Sequence, residues 1–219
     1  MSVSSAWNPP YAKFANQRLV GGMVFDLGAA LEKQLAMRVN FVVLPRKRIE
    51  SAGLAGEVDL RCYTTPQWTQ KPEHYTWSKK LWDISDVIFG GESVSEPQGI
   101  KSLPLGSGIS TVIGYKYPAL EASFADGHLR REDAIDQEKV FLKLTLGRTP
   151  YGVSESRALD WYVRNTPKHR LATWRMPFSS QGFQCAIPNN GRVNAQKILD
   201  ALDVLLRAGQ LDAILANYR

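Results

Sequence analysis

The 219-residue chain is poor in cysteine, with only Cys62 and Cys185, 123 residues apart. There is no CxxC pair and no cysteine–histidine cluster, which argues against the common zinc and dithiol motifs. Taken alone, the two cysteines read either as buried free thiols or as one disulfide. No run approaches the ~18 to 20 consecutive apolar residues of a membrane-spanning helix. The first residues, Met1-Ser2-Val3-Ser4-Ser5-Ala6-Trp7, lack a basic stretch followed by an apolar core. They do not read as a signal peptide, so the chain is expected to be either cytoplasmic or a mature form with an added Met. Acidic residues are the minority: 21 Asp and Glu against 27 Lys and Arg, for a net charge of +6. The bases are dispersed. Their densest cluster, Arg46-Lys47-Arg48, is followed by Glu50 and reads as a solvated helix face rather than a phosphate-binding patch. No nucleic-acid partner is expected. His74, His128 and His169 are scattered without ligand spacing, and neither a GxSxG elbow nor a P-loop is present. Gly106-Ser107-Gly108 starts like a dinucleotide fingerprint, but the third glycine is missing, and it reads as a loop. No acid/base pair stands out. The expectation is therefore no catalytic residues, no metal and no cofactor, and a binding protein rather than an enzyme.

What is present is ordinary globular composition, 44% hydrophobic and 22% charged. At roughly 150 residues per domain this is one or two domains. Leu27, Leu31 and Leu35 recur every four residues and predict a helix over 26–38. Val39 to Leu44 is apolar on both faces, which predicts a buried parallel strand. A short basic helix over 46–52 and a strand at Val58, Leu60 and Cys62 follow. Residues 64–84 read as a loop with a short helix, and Asp86 to Phe89 as a strand. A second series begins after the polar stretch 93–108. It has a strand at 110–113, a helix over 118–125, a helix over 136–146, a short strand at 151–153 and a helix over 155–164. Strands are expected at 171–174 and 182–187. The C-terminus is helical, with Ile198, Leu202 and Leu205 on one stripe. Alternating strands and helices predict an α/β protein with mostly parallel sheets. Ligand sites in such folds lie at the carboxyl ends of strands.

Certain segments carry a family likeness. They are Pro9-Pro10-Tyr11, Gly22-Met23-Val24-Phe25-Asp26-Leu27, Leu54-Ala55-Gly56-Glu57-Val58-Asp59, Trp77-Ser78 and Asp86-Val87-Ile88-Phe89. With Leu142 to Val153, Gly182 to Pro188 and Ile198 to Ile214, they resemble the periplasmic solute-binding proteins of family 3. This is the amino-acid-binding class of ABC transporter substrate-binding proteins. The match spans nearly the whole chain. Each motif is weak alone, and their order and spacing give the specificity.

The resemblance implies a type II two-lobed clamshell with a two-strand hinge. Lobe one would be residues 1–91 plus 184–219, and lobe two residues 92–183. A small polar solute, amino-acid-like or a related carboxylate, would be held between the lobes. It would pass to a membrane permease of an ABC transporter, or be reported to a sensor kinase. The protein would be a periplasmic monomer with its signal peptide removed. The family arginine that clamps the ligand carboxylate falls at Lys71, which binds as a point charge without the bidentate fork. The family threonine before it falls at Trp68, and the amine-binding aspartate at Glu155. Tyr11 and Trp68 would wall the site with rings. Tyr63, Thr64 and Thr65 would offer hydroxyl and backbone groups. Gly114 and Tyr115 would precede a helix N-terminus suited to an anion. Ordinary readings stand beside these: a solvated lysine at 71, packing for Trp68, and a first-turn helix acid at Glu155. The family sheet would also bring Cys62 and Cys185 onto neighbouring strands, allowing a disulfide in an oxidising compartment. Some relatives of this class are dehydratases, so an enzyme with Glu155 or Lys71 as acid or base is the alternative. A ligand-sensing module is another.

Overall fold

The structure, a computed structural model, describes residues 1–218. The chain divides into two compact units, Met1–Asp83 with Gly182–Arg219, and Ile84–Gln181. The sequence reading places the divisions at 91/92 and 183/184. The observed divisions, 83/84 and 181/182, both fall inside strands, so two segments are shared between the units.

The first unit holds β1 (Ser2–Ser4), β2 (Lys13–Ala15), β3 (Arg18–Gly21), α1 (Met23–Leu35), β4 (Val42–Leu44), α2 (Arg46–Leu54), β5 (Arg61–Thr64) and β6 (Tyr75–Trp77). Two 3₁₀ turns, Pro66–Trp68 and Pro72–His74, occupy the expected loop. β1 lies between β4 and β5, parallel to both. β2 and β3 form a separate antiparallel pair. Leu27 and Leu31 are fully buried, as their spacing requires. Gly28 is a glycine because a Cβ there would lie 2.4 Å from the Phe41 ring. β4 corrects the expected buried strand: it is the edge of the sheet, and Val42 is 38% exposed. Apolar residues on both faces signal burial only where other layers cover both faces of the strand, and at this edge Val42 stays open to solvent.

The second unit begins within β7 (Trp82–Gly90). It continues through β8 (Ser107–Val112), α3 (Glu121–Ala125), β9 (Leu129–Ala134), α4 (Gln137–Thr145), β10 (Tyr151–Glu155) and α5 (Ser156–Asn165). β8 lies between β9 and β10, parallel to both, and β7 runs antiparallel to β10. α4 starts where Asp136 accepts a hydrogen bond from the Lys139 amide, 2.8 Å away. On one side of the sheet Ile88, Ile109, Tyr151 and Val153 form a core with Leu103, Tyr117, Leu120 and Leu129. The expected strand at 171–174 is only an isolated bridge between Leu171 and Gly91. Ser107 begins β8, so the Gly106-Ser107-Gly108 segment is a turn running into a strand rather than a loop.

β11 (Met176–Pro188) returns to the first unit, where it pairs antiparallel with β5 and β6. α6 (Ala195–Arg207) and α7 (Gln210–Ala216) follow and pack against α1. Cys62 on β5 and Cys185 on β11 form a disulfide, which resolves the two readings of the cysteines. No helix among the described residues is long and apolar enough to cross a membrane.

Candidate functional site

In the first unit, β5 ends at Thr64, and the chain turns there because Tyr63 takes a left-handed conformation, φ +57. The turn gathers rings. The Tyr63 ring stacks on Tyr11 at 4.0 Å and 12°, and on Phe183 at 5.3 Å and 16°. Trp7 is tilted against it at 5.2 Å, and Trp68 meets it edge-on at 6.4 Å. Trp82 backs Phe183 at 4.0 Å. So the structure brings Tyr11, Tyr63 and Trp68 together, and adds Trp7, Phe183 and Trp82. Nothing in the local sequence marks Phe183 as a partner, since it lies on another strand far along the chain.

Thr64 and Thr65 are buried beside this cluster. The Thr65 carbonyl accepts from the Trp68 amide at 3.1 Å and from the Thr69 hydroxyl at 3.1 Å. Lys71 stands apart. Its side chain is exposed, and its amide donates to the Glu50 carboxylate at 3.0 Å. The buried cation in this region is Arg61, 4% exposed, which the sequence reading missed. Burial, then the nearby charge of Arg46, lowers its pKa to about 10. Its guanidinium donates to the Thr69 hydroxyl at 3.4 Å.

In the second unit, Gly114 (φ +78) and Tyr115 follow β8. The expected helix N-terminus is not beside them: α3 begins at Glu121 and has five residues. The Tyr115 amide is held by the Val112 carbonyl at 3.1 Å, and the Tyr117 amide by the Glu121 carboxylate at 3.4 Å. This correction removes the anion site proposed for that turn. The Tyr115 carbonyl instead accepts from Arg131 at 2.9 Å. The Arg131 guanidinium lies 5.5 Å from the Tyr117 ring centre.

Glu155 ends β10 and caps α5. It is 6% exposed, accepting from the Ala158 amide at 3.1 Å, and from Ser156 and Arg157, each at 3.3 Å. Its cross-strand partner on β7 is Asp86. Burial, reinforced by the Glu155 charge and opposed by a hydrogen bond from Ser179, raises the Asp86 pKa to about 7. Asp86 escaped the sequence reading because the pairing depends on register between distant strands. Among the described residues, no group of three or more His, Cys, Asp or Glu side chains is placed to hold a metal ion.

No family model matches the chain, and no curated protein matches it in sequence. Solved structures do match. An ancestral arginine-binding protein bound to arginine is 19% identical with a TM-score of 0.84, over 99% of this chain and 96% of that one. The substrate binding protein of an amino acid ABC transporter is 17% identical with a TM-score of 0.78, over 99% and 97%. The ancestral amino acid-binding protein AncCDT-1, a precursor of cyclohexadienyl dehydratase, is 15% identical with a TM-score of 0.79, over 99% and 93%. The chain therefore has the two-lobed α/β fold of the periplasmic binding proteins that its sequence resembles.

Proposed function

We propose that the chain is an extracytoplasmic solute-binding protein. It captures a small polar solute, amino-acid-like or a related carboxylate. It then delivers the solute to the membrane permease of an ABC transporter. One observation carries the reading. In each unit, candidate residues stand at the carboxyl ends of parallel strands, Tyr63 and Thr64 on β5 and Glu155 on β10. They do so in a fold shared with proteins named for binding amino acids. The buried disulfide supports an oxidising compartment such as the periplasm. Tyr11, Trp68 and Tyr63 supply aromatic surface, Thr64 and Thr65 polar or backbone groups, Lys71 an exposed positive charge, and Glu155 a carboxylate for a cationic amine. The same capture would serve a sensor kinase in place of a permease.

The test is calorimetry and thermal shift with the standard amino acids and small carboxylates. A 1:1 saturable signal is expected, with stabilisation that grows with ligand concentration by mass action. Absence of any binding across that library refutes the reading. The Asp86–Glu155 pair favours one second reading, an enzyme using these acids on a cyclic carboxylate. Turnover of a prephenate-like compound that is lost in Glu155→Gln would establish it, and no turnover in the parent protein would end it.

A further inference from the structure

We propose that Tyr63 is a displaceable plug: its ring fills an aromatic slot in the first unit that otherwise takes the flat ring of a small aromatic solute. This deepens the solute-capture reading above and rests on it.

The slot has four walls. Tyr11 and Phe183 both stack on the Tyr63 ring, nearly parallel to it at 12° and 16°. Trp7 and Trp68 close the sides. Tyr11 is 1% exposed and Phe183 0% exposed, so packing fixes the faces of the slot. Tyr63 is only half-buried. Tyr11, Phe183 and Trp7 are thus core residues, whereas the occupant Tyr63 and the side wall Trp68 both keep some access to solvent. Offset-stacked rings attract each other, and the separation of Tyr63 from Phe183, 5.3 Å, lies in the range for such pairs. A solute ring in the same place would recover the same contacts.

The backbone gives the occupant a reason to leave. At φ +57, Tyr63 sits in the left-handed region. That region suits glycine or asparagine and is unfavourable for a bulky side chain. Such strain persists only where surrounding contacts hold it, and it gathers at sites that switch. Here the stack with Tyr11 and Phe183 is one of the contacts that hold it. A solute ring that takes over the stack frees residue 63 to relax into an extended conformation, so the exchange keeps the stacking and relieves the strain.

Polar groups nearby would greet a solute with a polar substituent. The indole N–H groups of Trp68 and Trp82 and the hydroxyl of Thr64 are buried without a hydrogen-bond partner among the described residues. A buried donor left unmade is costly, and Trp68 is itself a wall of the slot.

The test uses p-cresol, which is the excised tyrosine side chain. Tyr63→Ala should bind p-cresol 1:1 in calorimetry, at least about tenfold more tightly than the parent protein. Adding Tyr11→Ala should abolish that binding. A Tyr63→Ala protein that is folded by circular dichroism yet binds p-cresol no better than the parent overturns the proposal. So does tighter binding of tetramethylammonium than of p-cresol, since a cage for a round cation is a different site. Should Tyr63→Ala not fold, the parent protein decides. With ring-labelled tyrosine, the Tyr63 resonance should shift to saturation as p-cresol is raised to about 10 mM, and a resonance that never moves overturns the proposal. If Tyr63→Ala takes p-cresol while neither form binds any amino acid or small carboxylate, the slot stands and the solute-capture reading falls.

Discussion

The disulfide offers a quantitative test of how the two units unfold. Cys62 and Cys185 are both fully buried, and their bond closes a loop with a sequence separation of 123. If the whole chain unfolds together, loop-closure entropy assigns the bond about 5 kcal/mol. The second unit, Ile84–Gln181, lies entirely inside that loop. If it stays folded while the first unit melts, the free loop shrinks to about 26 residues, and the stabilisation falls to about 3.5 kcal/mol. Cys62→Ala/Cys185→Ala, or the parent protein under reductant, should therefore lose about 3.5 to 5 kcal/mol in urea denaturation. That corresponds to a melting temperature lower by roughly 7 to 20 °C. Far-UV circular dichroism reads the transition, and calorimetry shows whether it is one step or two. A single cooperative transition should accompany the larger value, and two transitions the smaller. A loss below about 1 kcal/mol in both the variant and the reduced protein would refute the loop-closure reasoning.

Three further outcomes can be checked separately. Glu155→Gln should weaken α5 by about 1 kcal/mol, since the cap keeps its geometry and loses its charge, and it should cost any amine-bearing ligand at least about tenfold in calorimetric affinity. Asp86 has a folded pKa of about 7, above the unfolded value, so the native state holds the extra proton between about pH 4 and 7. Stability measured by urea midpoints should fall as pH rises through that window and level off above it. Asp86→Asn should flatten this slope, and Glu155→Gln should reduce it. An unchanged slope in Asp86→Asn would show that other groups produce it. Gly22→Ala places a Cβ 2.7 Å from the Tyr11 carbonyl at φ +104. It should cost about 1 to 3 kcal/mol in chemical denaturation and perturb the Tyr11 stack, visible as altered near-UV dichroism.

The helices were the most legible part of the fold. Leu27 and Leu31, and Ile198, Leu202 and Leu205, carry the 3.6-residue period into the core of the first unit. The strands were read less well, for identifiable reasons. β9, Leu-Arg-Arg-Glu-Asp-Ala, reads as polar because its charges pair along the strand, Arg130 with Glu132 and Arg131 with Asp133. It escaped notice although Leu129 and Ala134 are buried. The sequence pattern of β11 begins only at residue 182, because Ser179, Ser180 and Gln181 carry no apolar alternation, whereas the strand starts six residues earlier at Met176. The candidate residues of the first unit were found as types near a strand end. Their arrangement was not legible, because it depends on one left-handed residue and on Phe183 from a distant strand. Asp86 and Arg61 were invisible for the same cause: a charge shows its burial only once strand register is known.

Unit two is an insertion. The first unit opens with β1 in the interior of its sheet and is completed only by β11, α6 and α7. During synthesis, the inserted domain is therefore finished while its host still lacks the strand that pairs β5 and the helices that cover α1. For that interval the host exposes an open sheet edge and an uncovered helix face, the features that invite misassembly. The thiol of Cys62 waits as well, because its partner is made 123 residues later. Oxidation then acts as a late seal, formed only after the final segment has found its place. A chain truncated after Gln181 and released from the ribosome should hold a folded second unit beside an unfinished first one.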